Sequence, residues 1–144
     1  MPSVEYKDSP VLTSDNLHDL NTLVTESEET SRLCYHKSEQ STLHKMLICL
    51  PANKHYPAHR HTDSDETIIV LKGELTITFF NTVGKFEEKV VLSPFSESEN
   101  TNVSVLIQQG RWHSVQSGDC NTSFLEIKLG PFDKNKMELL SQDV

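Results

Sequence analysis

Two of the seven histidines in this chain, His59 and His61, are separated by one residue, and Glu66 follows five positions later. Side chains alternate across an extended strand, so His59 and His61 share a face and Arg60 points the other way. A carboxylate arriving on the neighbouring strand adds a third donor of the kind divalent metals accept, and one distant imidazole, His113, completes a set of four. Three imidazoles and a carboxylate leave one or two open positions on a metal that prefers five or six ligands. Fe, Mn, Ni, Co, Cu and Zn are all admissible, one ion per chain. The set contains no thiolate, which argues against a closed structural zinc site.

These residues need a scaffold that brings distant segments together. Leu17, Leu20, Leu23 and Val24 recur at three and four, the apolar stripe of a short amphipathic helix with Ser14 as its N-cap. From Leu43 the period changes to that of strands. Met46–Leu50 reads as a buried strand stopped by Pro51. The His59/His61 strand, Thr67–Leu71, Leu75–Phe80, Lys85–Leu92, Val103–Ile107, Trp112–Gln116 and Ser123–Leu129 follow, each bounded by turn signals. Lys72-Gly73-Glu74 reads as a hairpin turn. One helix and about eight short strands predict an all-β, single-domain sandwich or barrel. The expected division is an N-terminal arm with a helix packing on the barrel (1–40), a barrel (41–133) and a C-terminal tail (134–144), with residues 1–12 loose. Thr67–Leu71 is apolar on both faces, so cover from the N-terminal segment or a second subunit is expected, and with it a homodimer.

The balance of 13 Lys+Arg against 21 Asp+Glu, a formal charge of -8, with no cluster of Lys and Arg, argues against a duplex-binding surface and hence a nucleic-acid partner, while one local Arg or Lys suffices for an anionic substrate. No apolar run is long enough to span a membrane. Residues Met1–Pro10 lack the basic-then-apolar pattern of a secretory leader, which leads to an expectation of a cytoplasmic protein. Cys34, Cys49 and Cys120 are odd in number and lack CxxC spacing, so neither a disulfide framework nor a thiolate site is expected. Cys49 reads as a buried hydrophobe, Cys34 as an inert side chain near the site.

The chain resembles the cupin superfamily. Asn53, His59, His61, Glu66 and Gly73 match its first motif, G-x5-H-x-H-x3-4-E-x6-G, with Asn53 in place of the first glycine; asparagine also tolerates positive φ. Gly110 and His113 match the second motif, which departs at Asn102, Gln108 and Ser117. More narrowly the chain looks like the WbuC family of cupin-fold metalloproteins, through Arg32–His36, Pro57–His61, Trp112-His113 and Phe124–Phe132. The resemblance implies a double-stranded β-helix (jelly-roll) barrel holding a divalent metal at His59, His61, Glu66 and His113. It implies chemistry on a small oxygen-rich, neutral or anionic substrate, with sugar or nucleotide-sugar isomerisation or epimerisation in surface-polysaccharide biosynthesis ahead of dioxygenation. A non-catalytic ligand-sensing module is the remaining alternative. His36 and Glu66 are then the candidate acid/base residues, and Arg32, Tyr35 and Lys128 the candidate substrate contacts. Glu126, on the face opposite Leu125 and Ile127, is expected to be solvated if those two fill the core.

Overall fold

The computed structural model describes residues 3–140. Its two sheets are β1 (Ser3–Tyr6), β2 (Ser31–Cys34), β3 (Leu43–Leu50), β10 (Thr122–Leu129), β5 (Glu66–Lys72) and β8 (Ser104–Ile107) in that spatial order, and β11 (Met137–Leu139), β4 (His55–His61), β9 (Trp112–Ser117), β6 (Leu75–Phe80) and β7 (Phe86–Leu92). Inner-face side chains of both fill the space between them, among them Ile48, Ile68, Ile77, Phe79 and Phe124. This is the expected all-β barrel.

The helix α1 (Ser14–Ser27) starts one residue earlier than its apolar stripe suggests. Thr13, not Ser14, is the N-cap: its hydroxyl accepts from the Asn16 amide at 3.2 Å while Asn16 Oδ1 accepts from the Thr13 amide at 2.9 Å. Leu20 and Val24 pack on Leu47 and Cys49, the outer-face residues of β3, with Leu33, Leu71 and Leu125 around them. Burying two such side chains contributes about 3–6 kcal/mol before entropic costs. The outer cover that Thr67–Leu71 calls for is thus supplied within the chain at Leu71.

Three expectations are corrected. Residues 3–6 are not loose but pair in parallel with β2. The segment taken as a tail from 134 carries β11, which pairs antiparallel with β4, His61 opposite Met137 and His59 opposite Leu139. Gly73 does not close a hairpin. The strands on either side of it belong to different sheets, β5 bonding to β10 and β8, β6 to β7 and β9. The chain turns a corner there at φ +85°, where a Cβ would lie 2.6 Å from Thr122 Oγ1 and 2.7 Å from the Asn121 carbonyl oxygen. Only glycine fits such a corner. Among the described residues no helix is long and apolar enough to cross a membrane.

Candidate metal centre and its cavity

His59 and His113 are direct partners in the register between β4 and β9, and Phe79 of β6 is the next residue in the row. Their rings lie 4.4 Å apart. His59 Nδ1 donates to the Pro57 carbonyl at 3.0 Å and His113 Nδ1 to the Arg111 carbonyl at 2.9 Å, which leaves both Nε2 atoms as lone-pair donors. His61, two residues along the same face, joins them, and the donor atoms of the three imidazoles lie within 4.8 Å of one another. Asn53 and Gly110 adopt the positive φ values, 56° and 80°, of the turns before these strands. Asparagine therefore does a glycine's job at position 53.

Glu66 comes from β5, across the barrel rather than from a neighbouring strand. Its Oε2 is 3.0 Å from His61 Nε2 and its Oε1 3.7 Å from His113 Nε2. His113 Nε2 is buried without a hydrogen-bond partner, and the buried Glu66 Oε2 makes no aligned hydrogen bond despite its contact with His61. Orphaned buried polar atoms are costly, and two lone-pair atoms converging at one place fit a cation that both would ligate. Burial pushes the Glu66 carboxyl up, but the facing His113 and His61 outweigh it and hold the group well below the usual carboxylate range. Burial, reinforced by His113, pushes His59 down to about 4. An anionic carboxylate and a neutral imidazole are the forms that bind metal.

The centre opens on a cavity of about 610 Å³, within the size range of small-molecule sites. Its second wall is sheet β1–β8, whose inner face presents Arg32, Cys34, Met46, Glu126 and Lys128. Arg32 and Lys128 are therefore brought to the cavity with the metal ligands. Tyr35 is not: it falls between Cys34 and His36, which both line the wall, and the alternation of the strand sends it to the other face. Arg60 is also outside, stacked 4.4 Å over Trp112 and paired with Glu138 at 3.2 Å. Burial pushes the Cys34 thiol up, as expected of an inert side chain.

Glu126 is a further correction. Leu125 faces α1, and it is Phe124 that fills the barrel, so Glu126 and Lys128 point inward. Enclosure by protein, and then the charge of Glu66, push the Glu126 carboxyl up to about 8. The sequence signal was present in the apolar stripe of α1, which needs an apolar partner face on the sheet.

His36 lies at the cavity wall, 6 % exposed. Its Nδ1 is held at the Lys45 backbone, 3.0 Å from the amide nitrogen and 3.2 Å from the carbonyl oxygen. His44, which sequence reasoning passed over, stacks on it with ring centroids 4.0 Å apart and donates from Nε2 to the Glu39 carbonyl at 3.1 Å. Burial and then His44 lower the His36 pKa below the ordinary imidazole value.

Barrel and centre together define a cupin-fold protein. The chain belongs to the family described as a domain of unknown function (DUF6016), whose model matches residues 16–92. Similar solved structures include a mutant of oxalate decarboxylase OxdC from Bacillus subtilis, at 18 % identity and TM-score 0.56 over 69 % of this chain and 24 % of that one. KdgF from Halomonas sp. shares 13 % identity at TM-score 0.56, covering 75 % and 84 %. A cupin superfamily protein from Desulfitobacterium hafniense DCB-2 shares 17 % at TM-score 0.54, covering 70 % and 77 %. The chain spans only about a quarter of the oxalate decarboxylase. At these identities the likeness shows the fold. No curated protein matches the chain.

Proposed function

We propose that the protein binds one divalent metal ion through His59, His61, His113 and Glu66 and acts with it on a small, oxygen-rich ligand held in the cavity. The observation that carries this reading is the convergence of two buried lone-pair atoms that make no aligned hydrogen bond, His113 Nε2 and Glu66 Oε2, beside that cavity. When bound, the ion supplies a Lewis-acid centre for a coordinated oxygen. The rest of the work falls to the chain. His36, at the cavity wall, is the group for delivering or accepting a proton, and burial, with His44 beside it, lowers its pKa so that it is neutral at pH 7. Arg32 and Lys128 offer charge-assisted hydrogen bonds to ligand oxygens.

A neutral proton carrier beside a carbonyl-polarising centre suits isomerisation or epimerisation of a sugar or nucleotide-sugar. The likeness to the WbuC family favours a place in surface-polysaccharide assembly. Elemental analysis of untagged protein tests the first part: one metal per chain is expected, and less than half an equivalent counts against the reading. For the second, epimerase assays in deuterated water on aldose and nucleotide-sugar substrates should show solvent deuterium at one carbon. A pH–rate profile that His36→Ala leaves unchanged removes His36 from the reaction.

A further inference from the structure

Besides the groups that face the metal centre, the cavity contains two cations that no carboxylate neutralises by contact. Among the described residues, neither Arg32 nor Lys128 takes part in an ion pair within 4.0 Å. Strand register places them differently. Lys128 on β10 is the direct partner of Glu66 on β5, at the metal end of the wall. Arg32 on β2 belongs to the row Arg32–Ile48–Phe124, four residues further along β10 and three strands across from Glu66. Glu126, in the row between, feels both cations.

The chain carries -8 overall, and its own residues give the cavity two cations, Arg32 and Lys128, against three carboxylates, Glu39, Glu66 and Glu126. With a divalent ion bound, the ion, Arg32 and Lys128 supply four positive charges. Glu66, Glu126 and the lip residue Glu39 supply at most three negative ones, whichever way Glu126 titrates. Two separated cations on a wall otherwise formed by Met46, Ile48, Ile68 and Phe124 fit an elongated ligand with an oxygen function at one end and a negative charge at the other.

We infer that the ligand is a polyhydroxy oxyanion, a sugar acid or sugar phosphate. Its hydroxyl or carbonyl end lies beside Lys128 and the histidine–glutamate centre, and its carboxylate or phosphate is held by Arg32. The inference rests on the metal-site reading for the first end and on Arg32 alone for the second.

Calorimetric titration of the metal-containing full chain with D-glucuronate, D-glucose 6-phosphate and D-glucose tests it. At least one anion should bind tenfold or more tightly than glucose, and the tighter of the two identifies carboxylate or phosphate. Arg32→Gln should abolish that preference with metal content unchanged, whereas Lys128→Met should weaken all three probes alike. If Arg32→Gln does not fold, Arg32→Lys, which keeps the charge but loses the planar fork, should still reduce the preference severalfold. Anions binding no better than glucose, or a preference that survives these Arg32 substitutions, overturns the inference. The two readings fail separately: anions that bind metal-stripped protein as tightly as loaded protein sink the metal-site reading and leave the Arg32 clamp standing.

Discussion

His61 Nε2 stands 3.0 Å from Glu66 Oε2, although His61 ends β4 in one sheet and Glu66 opens β5 in the other. The contact is therefore a closure of the barrel as well as a pair of proposed metal donors. Without a cation it leaves an anionic carboxylate enclosed in the barrel, beside a His59 ring that burial keeps neutral. A bound metal removes that imbalance, so loading should stabilise the fold by linkage.

His61→Ala and His113→Ala should each lose stoichiometric metal, measured by inductively coupled plasma mass spectrometry after dialysis. Glu66→Gln keeps the shape but not the charge and should weaken affinity by about 10- to 100-fold, the scale on which changed ligand environments act. Added metal should raise the Tm of the wild type and leave that of His113→Ala unmoved. A full equivalent of metal in either alanine variant would show that the ligand set is misassigned.

His59 sets a pH dependence in the metal-free protein. Its pKa falls from the ordinary 6.5 to about 4. Between those values the unfolded chain takes up a proton that the folded one refuses, so stability is present above pH 6.5 and declines as pH drops toward 4. The loss amounts to up to about 3 kcal/mol. Urea denaturation of metal-free protein at intervals from pH 6.5 to 4 should show a steeper decline for the wild type than for His59→Gln. Equal slopes would place His59 in water rather than in the enclosed site.

Glu126 acts in the opposite direction. With its carboxyl pushed from 4.5 up to about 8, the folded chain keeps a proton that the unfolded chain releases, and stability falls as pH rises through that window. From pH 6.5 to 8 His59 adds no slope, so the two are separable. Glu126→Gln imitates the protonated carboxyl and should flatten Tm between pH 6.5 and 8 in metal-free protein. A wild-type Tm already flat across that range means that Glu126 is ionised there.

How far the sequence carries depends on what each residue's position rests on. The histidines were legible because His-x-His on a strand fixes a shared face whatever the partner strands are. Glu66 was legible as a candidate ligand but not in its position: local spacing suggested a neighbouring strand, and the sheet-crossing corner at Gly73 puts it opposite. Alternation alone cannot say which face of a doubly buried strand is the barrel interior. That ambiguity hid Glu126 until Leu125 was seen against α1 and Phe124 in the core. β1, β2 and β11 are only three or four residues long, too short for an alternating pattern to stand out, so their pairing is set by tertiary contacts that no local pattern announces.

Gly130 links backbone packing to the cavity wall, and its replacement separates that wall from the metal. A Cβ there would lie 2.1 Å from the Ser41 carbonyl oxygen and 2.4 Å from both Cδ2 and Nε2 of His44. Neither the carbonyl nor the enclosed ring can yield freely. Gly130→Ala should therefore shift His44 off the Glu39 carbonyl and disturb its stack on His36, at a cost of about 1–3 kcal/mol. The metal ligands lie on other strands, so metal content should stay at wild-type level. Imidazole resonances of His36 and His44 in NMR spectra of metal-free protein should move, while those of His59 and His113 hold. If metal is lost along with the stack, the imidazole pair and the metal centre form one cooperative unit, and the separation of wall from metal drawn here is wrong.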